Sequence, residues 1–380
     1  MFALQRIGNP WIDSALSGAK QSRMECPFNQ YYGTYLGVDE LLALQKPVSL
    51  KDGKVQAHDE MLFIIVHQTY ELWFKQILHE LDACCEVLRQ PAADDNGADM
   101  NVVVHRLRRV VEIWKLLNRQ VDVLETMTPL DFLDFRSRLE GASGFQSRQF
   151  RQIESTLGLR MENRFRPDYY KHTDVGGFNE KDYKDITEAE KLPSLLKLVE
   201  QWLTRMPFFD SSFWQGWTEG KSESDDATQP AFWRRYRHLY GESLSARDDK
   251  PDLLGKFDDM FFKTGAGDFP PAALRAALFI MLYRDEPLFR LPFALLNALI
   301  EIDEQVANFR YRHLQMVRRM IGTRVGTGGS SGEQYLQGAV NKNYIYKELA
   351  GIITFLIERR SLPDLPARLR QALRFGSATG

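Results

Sequence analysis

The sequence predicts an all-α protein, a bundle of long helices, and three observations carry that reading. Apolar residues recur at helical spacing from Asp59 to Arg89 and again from Pro292 to Gly322. Helix start and stop signals bracket such segments. There is no convincing alternation of strands and helices of the kind a mixed sheet requires.

The elements follow in order. Residues 1–30 read as an arm, and "YYGTYLGVDELLALQKP" opens a compact element with tyrosines at Tyr31, Tyr32 and Tyr35, a concentration that aromatic packing alone can explain. "KDGK" is a turn. On the helix that follows, Phe63, His67, Tyr70, Phe74 and Ile77 share one face, and Pro91 ends it. A second long helix is expected from about Met100 to Glu125. "TPLD" is a start signal, because Thr128 caps, Pro129 suits the first helical position and Asp131 closes a capping box. It launches "LDFLDFRSRL", and "SGFQSRQFRQIESTLG" reads as a further helix. The stretch "RMENRFRPDYYKHTDVGGFNEKDYKD" is polar, broken and low in helical rhythm. "LPSLLKLVEQWLTRM" restores a short helix, and a loop then leads into the charged helix around "FWRRYRHLYGES". Apolar helices return at "PPAALRAALFIMLYRD" and at the segment ending "FRYRHLQMVRRMIG", where Gly322 is the stop. A glycine-rich loop and helices through "EQYLQGAVNKNYIYKELAGIITFLIE" and "LPARLRQALRF" complete the chain.

Composition excludes several classes. A net charge of −2 with 44% hydrophobic and 26% charged residues is ordinary for a soluble globular protein and gives no nucleic-acid signal. The basic runs "HRLRRV" and "RRYRH" have acids nearby and read as helix faces. Cys26, Cys84 and Cys85 form neither a disulfide ladder nor a CxxC pattern, which suits a reducing cytoplasm. The opening lacks an apolar signal core, and "AALFIMLY" and "LPFALLNALI" fall short of the roughly 20 residues that cross a bilayer. The expectation is a cytoplasmic protein with no membrane or nucleic-acid partner.

Two histidines sit on apolar helical faces. His67 is either a core imidazole satisfied locally or a polar group in a ligand pocket. His58 and His79 cannot converge with it on one helix to hold a metal. His313 is either a core residue or the single axial ligand that haem iron needs, and the arginines Arg310, Arg312, Arg318 and Arg319 either meet propionates or keep the other helix face wet. Arg136 either pairs with Glu140 one turn on or grips a carboxylate, with Phe132 offering an apolar surface beside it. "GTGGSSG" is not a Walker loop; it is either a connector or a backbone cradle for an anionic group or an amino acid.

The segments "YGTYL", "HDEMLFIIVHQTYELWFKQILHELD", "LETMTPLDFLDFR", "SGFQS", "FRYRH" and "GTGGSSG" occur together in this order, and in them the chain resembles the tryptophan 2,3-dioxygenase family from Tyr31 to about Leu336. The resemblance implies a helical haem-dioxygenase bundle with a central helical insertion. It divides the chain into an arm (1–30), the first part of the core (31–163), a variable, partly helical insertion (164–270) and the remainder of the core (271–380). It implies haem b, ferrous in the active state, with O2 as co-substrate and L-tryptophan as substrate. The implied reaction is cleavage of the indole C2–C3 bond to N-formyl-L-kynurenine, in a homotetramer. His313 then matches the proximal haem ligand, and His67 the distal histidine with a catalytic role. Arg136 matches the carboxylate-binding arginine, Phe63 and Phe132 the indole pocket, and Thr327 the residue near the substrate ammonium. Ser143 and Gly144 match a pair near the haem, and Tyr32 and Tyr35 match residues that reach a neighbouring subunit's site. Phe309 departs from the tryptophan common in the family, keeping an aromatic surface but losing an N–H donor. Two alternatives stand beside this reading: a related haem monooxygenase acting on a substituted tryptophan, and a non-catalytic haem-binding regulator.

Overall fold

The structure, a computed structural model, describes residues 31–51, 53–90, 97–139, 141–159, 177–217, 231–265, 267–324, 336–338, 340 and 343–374. The chain divides into two compact units, 1–46 and 47–380. In the first, two short helices, α1 (Tyr32–Leu36) and α2 (Val38–Leu42), meet at Gly37, whose φ of 60° suits glycine. Tyr31, Tyr32 and Tyr35 are exposed, each more than 70%.

Among its described residues, the regular structure of the second unit is helical apart from a small ribbon in which Leu50–Lys51 pairs antiparallel with Lys54–Val55. The buried carboxylate of Glu60 accepts from the backbone N–H groups of Val48 (2.7 Å) and Ser49 (2.9 Å), tying the ribbon to the start of α3 (Glu60–Leu88). α4 (Ala98–Leu124) packs along α3, its buried stripe running from Met100 through Leu107 and Trp114 to Leu124. Glu80 on α3, almost wholly buried, joins the pair by accepting from Arg106 (3.0 Å) and Arg109 (2.6 Å). Two arginines of the "HRLRRV" run are therefore committed within the fold.

α5 (Pro129–Arg136) starts at the expected capping box, with Thr128 and Asp131 exchanging hydrogen bonds. α6 (Arg148–Leu157) is capped by Ser147 and packs on α3. It ends at Gly158, with φ 123° and so little room that an added Cβ would lie 2.5 Å from the Cβ of Leu196. α7 (Glu180–Lys191) begins inside the stretch read as polar and broken, and corrects that expectation. Asn179 caps it, accepting from the N–H of Asp182 at 2.8 Å, and Ile186 is its one buried residue, packed with Phe178. One apolar anchor in twelve residues leaves almost no periodic signal.

α8 (Leu195–Thr204), α9 (Ala231–Ser243), α10 (Lys250–Phe261) and α11 (Pro271–Leu282) follow. Although "RRYRH" looks charged, α9 buries Phe232, Trp233, Tyr236 and Tyr240 in the main core, while Arg237 pairs with Asp258 of α10. The long helix α12 (Arg290–Ile321) packs most extensively against α4 and stops at Gly322, φ 57°. The C-terminal segment is less helical than expected among the described residues, with α13 (Lys347–Gly351), a 3-10 turn over Ile352–Phe355 and α14 (Ala367–Ala372). Asp303 of α12 accepts from the backbone N–H groups of Ile345 and Tyr346, which fixes where this segment returns. Among the described residues no helix is long and apolar enough to cross a membrane.

Candidate active site

Between α3, α6 and α12 lies a cavity that opens to solvent. Its apolar walls include Phe74, Leu124, Phe150, Phe309 and Met316. Both histidines line it, His67 from α3 and His313 from α12, although the whole middle of the chain separates them.

The two imidazoles are held neutral. Burial is the main cause at His67, where it outweighs the backbone carbonyl of Phe63 and the charge of Glu71, both of which favour protonation. The Nδ1 of His67 lies 2.7 Å from the Phe63 carbonyl, one turn back on α3. A carbonyl only accepts, so Nδ1 carries the proton and Nε2 is left as the acceptor. Burial, helped by the proximity of His67, pushes the His313 pKa down to about 4.

The motif "FRYRH" has a mechanical explanation. Phe309 is the hub of an aromatic cluster: its ring lies 5.5 Å from those of Tyr70 and Trp114 and 5.9 Å from that of Phe150. It is nearly parallel to the ring of His313, at 6.3 Å and 22°. Arg310 is buried rather than wet. Its Nη2 reaches Glu154 of α6 at 2.6 Å and its Nη1 donates to the Asn343 carbonyl at 2.8 Å. Glu154 also accepts from Arg151 at 2.8 Å. Arg312 turns the other way and pairs with Asp122 of α4 and with Glu125 just past its end. The two arginines thus brace α12 on opposite sides within one turn of His313.

Gly144 lines the cavity in the 3-10 turn Gly144–Gln146, and a Cβ there would meet nothing within 4 Å, so the glycine keeps space open. Ser143 caps this turn, its hydroxyl accepting from the Phe145 N–H. Phe63 and Phe132 form an aromatic wall beside His67: Phe63 lies 4.0 Å from the imidazole and 5.9 Å from Phe132. Arg136 is half-buried at the last turn of α5. These three are not among the residues that line the cavity. Thr327 and the rest of "GTGGSSG", as well as Glu140, the proposed partner of Arg136, and Cys26 lie outside the described residues. Cys84 and Cys85 are buried free thiols, and burial pushes both up to about 12, so neither is a nucleophile. Among the described residues no His, Cys, Asp or Glu cluster that could hold a bare metal ion forms.

Among the wall residues that sequence patterning missed are the charged and amide side chains of Glu71, Arg151, Glu154 and Asn343. Glu71 shares the His67 face one turn on, and Arg151 and Glu154 are an i,i+3 pair flanked by the apolar Phe150, Ile153 and Leu157. A buried charged pair on an apolar stripe was the available signal.

Comparison with known proteins agrees with this geometry. The family model described as tryptophan 2,3-dioxygenase matches residues 17–356. A protein of Alteromonas mediterranea named tryptophan 2,3-dioxygenase is 44% identical over 91% of this chain and 97% of its own. Proteins of the same name from Dictyostelium discoideum and Bdellovibrio bacteriovorus are 42% and 41% identical, each over 91% of this chain and over 88% and 98% of their own. With nearly the whole helical chain matched, and His67 and His313 facing one cavity, this chain belongs to the tryptophan 2,3-dioxygenase family.

Proposed function

We propose that the chain is a haem-dependent dioxygenase that adds both atoms of O2 across the indole C2–C3 bond of L-tryptophan, giving N-formyl-L-kynurenine. The observation that carries this reading is the pair of neutral histidines, from α3 and α12, facing one mostly apolar cavity.

The residues present fit haem b. A neutral His313 keeps a lone pair for iron, and one such ligand is enough for a haem. The flat ring needs apolar walls, which Phe74, Phe150, Phe309 and Met316 offer, and Gly144 leaves its part of the wall bare. When bound in its ferrous state, haem supplies the site where O2 binds and is activated.

The chain's own residues do the rest. His67 presents Nε2 as an acceptor and takes the hydrogen bond of the indole N–H, which orients the ring. Phe63 and Phe132 give the indole its apolar wall. Arg136 binds the substrate carboxylate through two directed hydrogen bonds, with Thr327 near the ammonium. Ser143 and Gly144 border the haem side, and Tyr32 and Tyr35, exposed on the single chain, reach a neighbouring subunit in a homotetramer. The protein works in the cytoplasm.

Reconstitution with haem tests the assignment of His313. The wild type should give a histidine-ligated ferrous spectrum that L-tryptophan perturbs. His313→Ala should lose that coordination while its helical circular dichroism stays. Wild-type axial coordination in the variant would overturn the assignment.

A further inference from the structure

Asn343 has no role in the reading above. It is 3% exposed and lines the cavity, yet its Oδ1 is buried without a hydrogen-bond partner. Its main chain is held, since the carbonyl accepts from Arg310 Nη1 at 2.8 Å. A buried amide left unsatisfied destabilises a protein unless a ligand completes it.

The surroundings indicate the ligand group. Arg310, which also lines the cavity, uses Nη1 on the Asn343 carbonyl and Nη2 on Glu154, two contacts from a fork of five N–H donors. The Glu154 oxygens already accept from Arg310 and Arg151. The corner is rich in donors, and a group that only accepts fits it. The Asn343 carboxamide lines the same corner and carries two N–H donors for such an acceptor. The ring cofactor proposed for this cavity is apolar except for its two carboxylate arms.

We propose that Asn343 is a cofactor-binding residue whose carboxamide donates to a carboxylate arm of the haem, beside the Arg310–Glu154 pair. The proposal rests on the haem reading and adds a recognition group to it.

The test measures haem loss rather than turnover. Each holoprotein is mixed with excess apomyoglobin as scavenger, and transfer is followed in the Soret band. Asn343→Leu should release haem b about tenfold faster than wild type, the effect of one hydrogen bond to a charged group. Asn343→Asp, which sets carboxylate against carboxylate, should be faster still. With haem dimethyl ester, whose arms carry no charge, the three proteins should converge. Asn343→Ser, which keeps a donor, should fall between wild type and Asn343→Leu; if the Asp variant does not fold, the Leu and Ser pair with both haems decides. An equal penalty of Asn343→Leu for haem b and its ester would overturn the proposal, as would an Asp variant that holds haem b like wild type. A wild type that takes up no histidine-ligated haem would instead sink the underlying reading, and this proposal with it.

Discussion

Glu154 lies between two arginines, and its two arginine contacts make unequal demands on it. Its Oε1 accepts from Arg310 at 2.6 Å and its Oε2 from Arg151 at 2.8 Å, with all three side chains less than 10% exposed. Removing one partner of a buried ion pair costs about 3–5 kcal/mol, because the other charge is stranded. Glu154→Gln strips a carboxylate from two guanidiniums and should cost the full amount. Arg310→Met leaves Glu154 its contact with Arg151, so the loss should be nearer that of one charge-assisted hydrogen bond, about 1.5–3 kcal/mol. The double variant should cost less than the sum by at least about 1 kcal/mol, since the first change has already removed the shared contact. Urea unfolding of the haem-free proteins measures all three values, against a total stability of about 5–15 kcal/mol for ordinary domains. Because Arg310 lies less than one turn before His313, both single variants should also perturb the ligated haem spectrum. Additive costs, or a smaller cost for Glu154→Gln than for Arg310→Met, would refute the claim that this triad braces α12.

Two further predictions concern other charges. Arg136→Leu should keep haem but lose about tenfold or more in affinity for L-tryptophan and indole-3-propionate while sparing tryptamine, measured by difference titration; equal losses for all three ligands would remove its role as carboxylate reader. Burial pushes the Glu80 carboxyl up, but hydrogen bonds from Arg109, Arg106 and Gln76 outweigh it and hold the group below its ordinary 4.5. A depressed acid stabilises the fold above its ordinary pKa, and that stability is lost as pH falls through the lowered folded value. Wild-type Tm should therefore drop on acidification below 4.5, and Glu80→Gln should start lower at neutral pH and fall less steeply; parallel curves would contradict the pairing.

The long helices were legible because burial writes itself at helical spacing. Val66, Tyr70, Phe74 and Ile77 repeat on α3, as Leu299, Ile302 and Val306 do on α12. The cap at Thr128 was legible because its signal is local. α7 was not, since a capping asparagine and one buried isoleucine carry it. His67 and His313 could be singled out as polar groups on apolar faces, but periodicity cannot show that two helices turn them to one cavity. Arg310 was open between propionate contact and a wet face because its partner, Glu154, comes from a distant helix. Asn343 gave no signal at all: its importance lies in a hydrogen bond it does not make, and only packing reveals that.

The fate of isotopic oxygen distinguishes dioxygenation from every alternative chemistry of this site. The haem-loaded protein is reduced without oxygen, given L-tryptophan, then exposed to 18O2, and the product is analysed by mass spectrometry. The expected product is a ring-opened N-formyl-L-kynurenine carrying two labelled atoms, formed over many turnovers without added reductant. An intact indole carrying a single labelled oxygen, or unchanged L-tryptophan on a haem that binds O2, would contradict it.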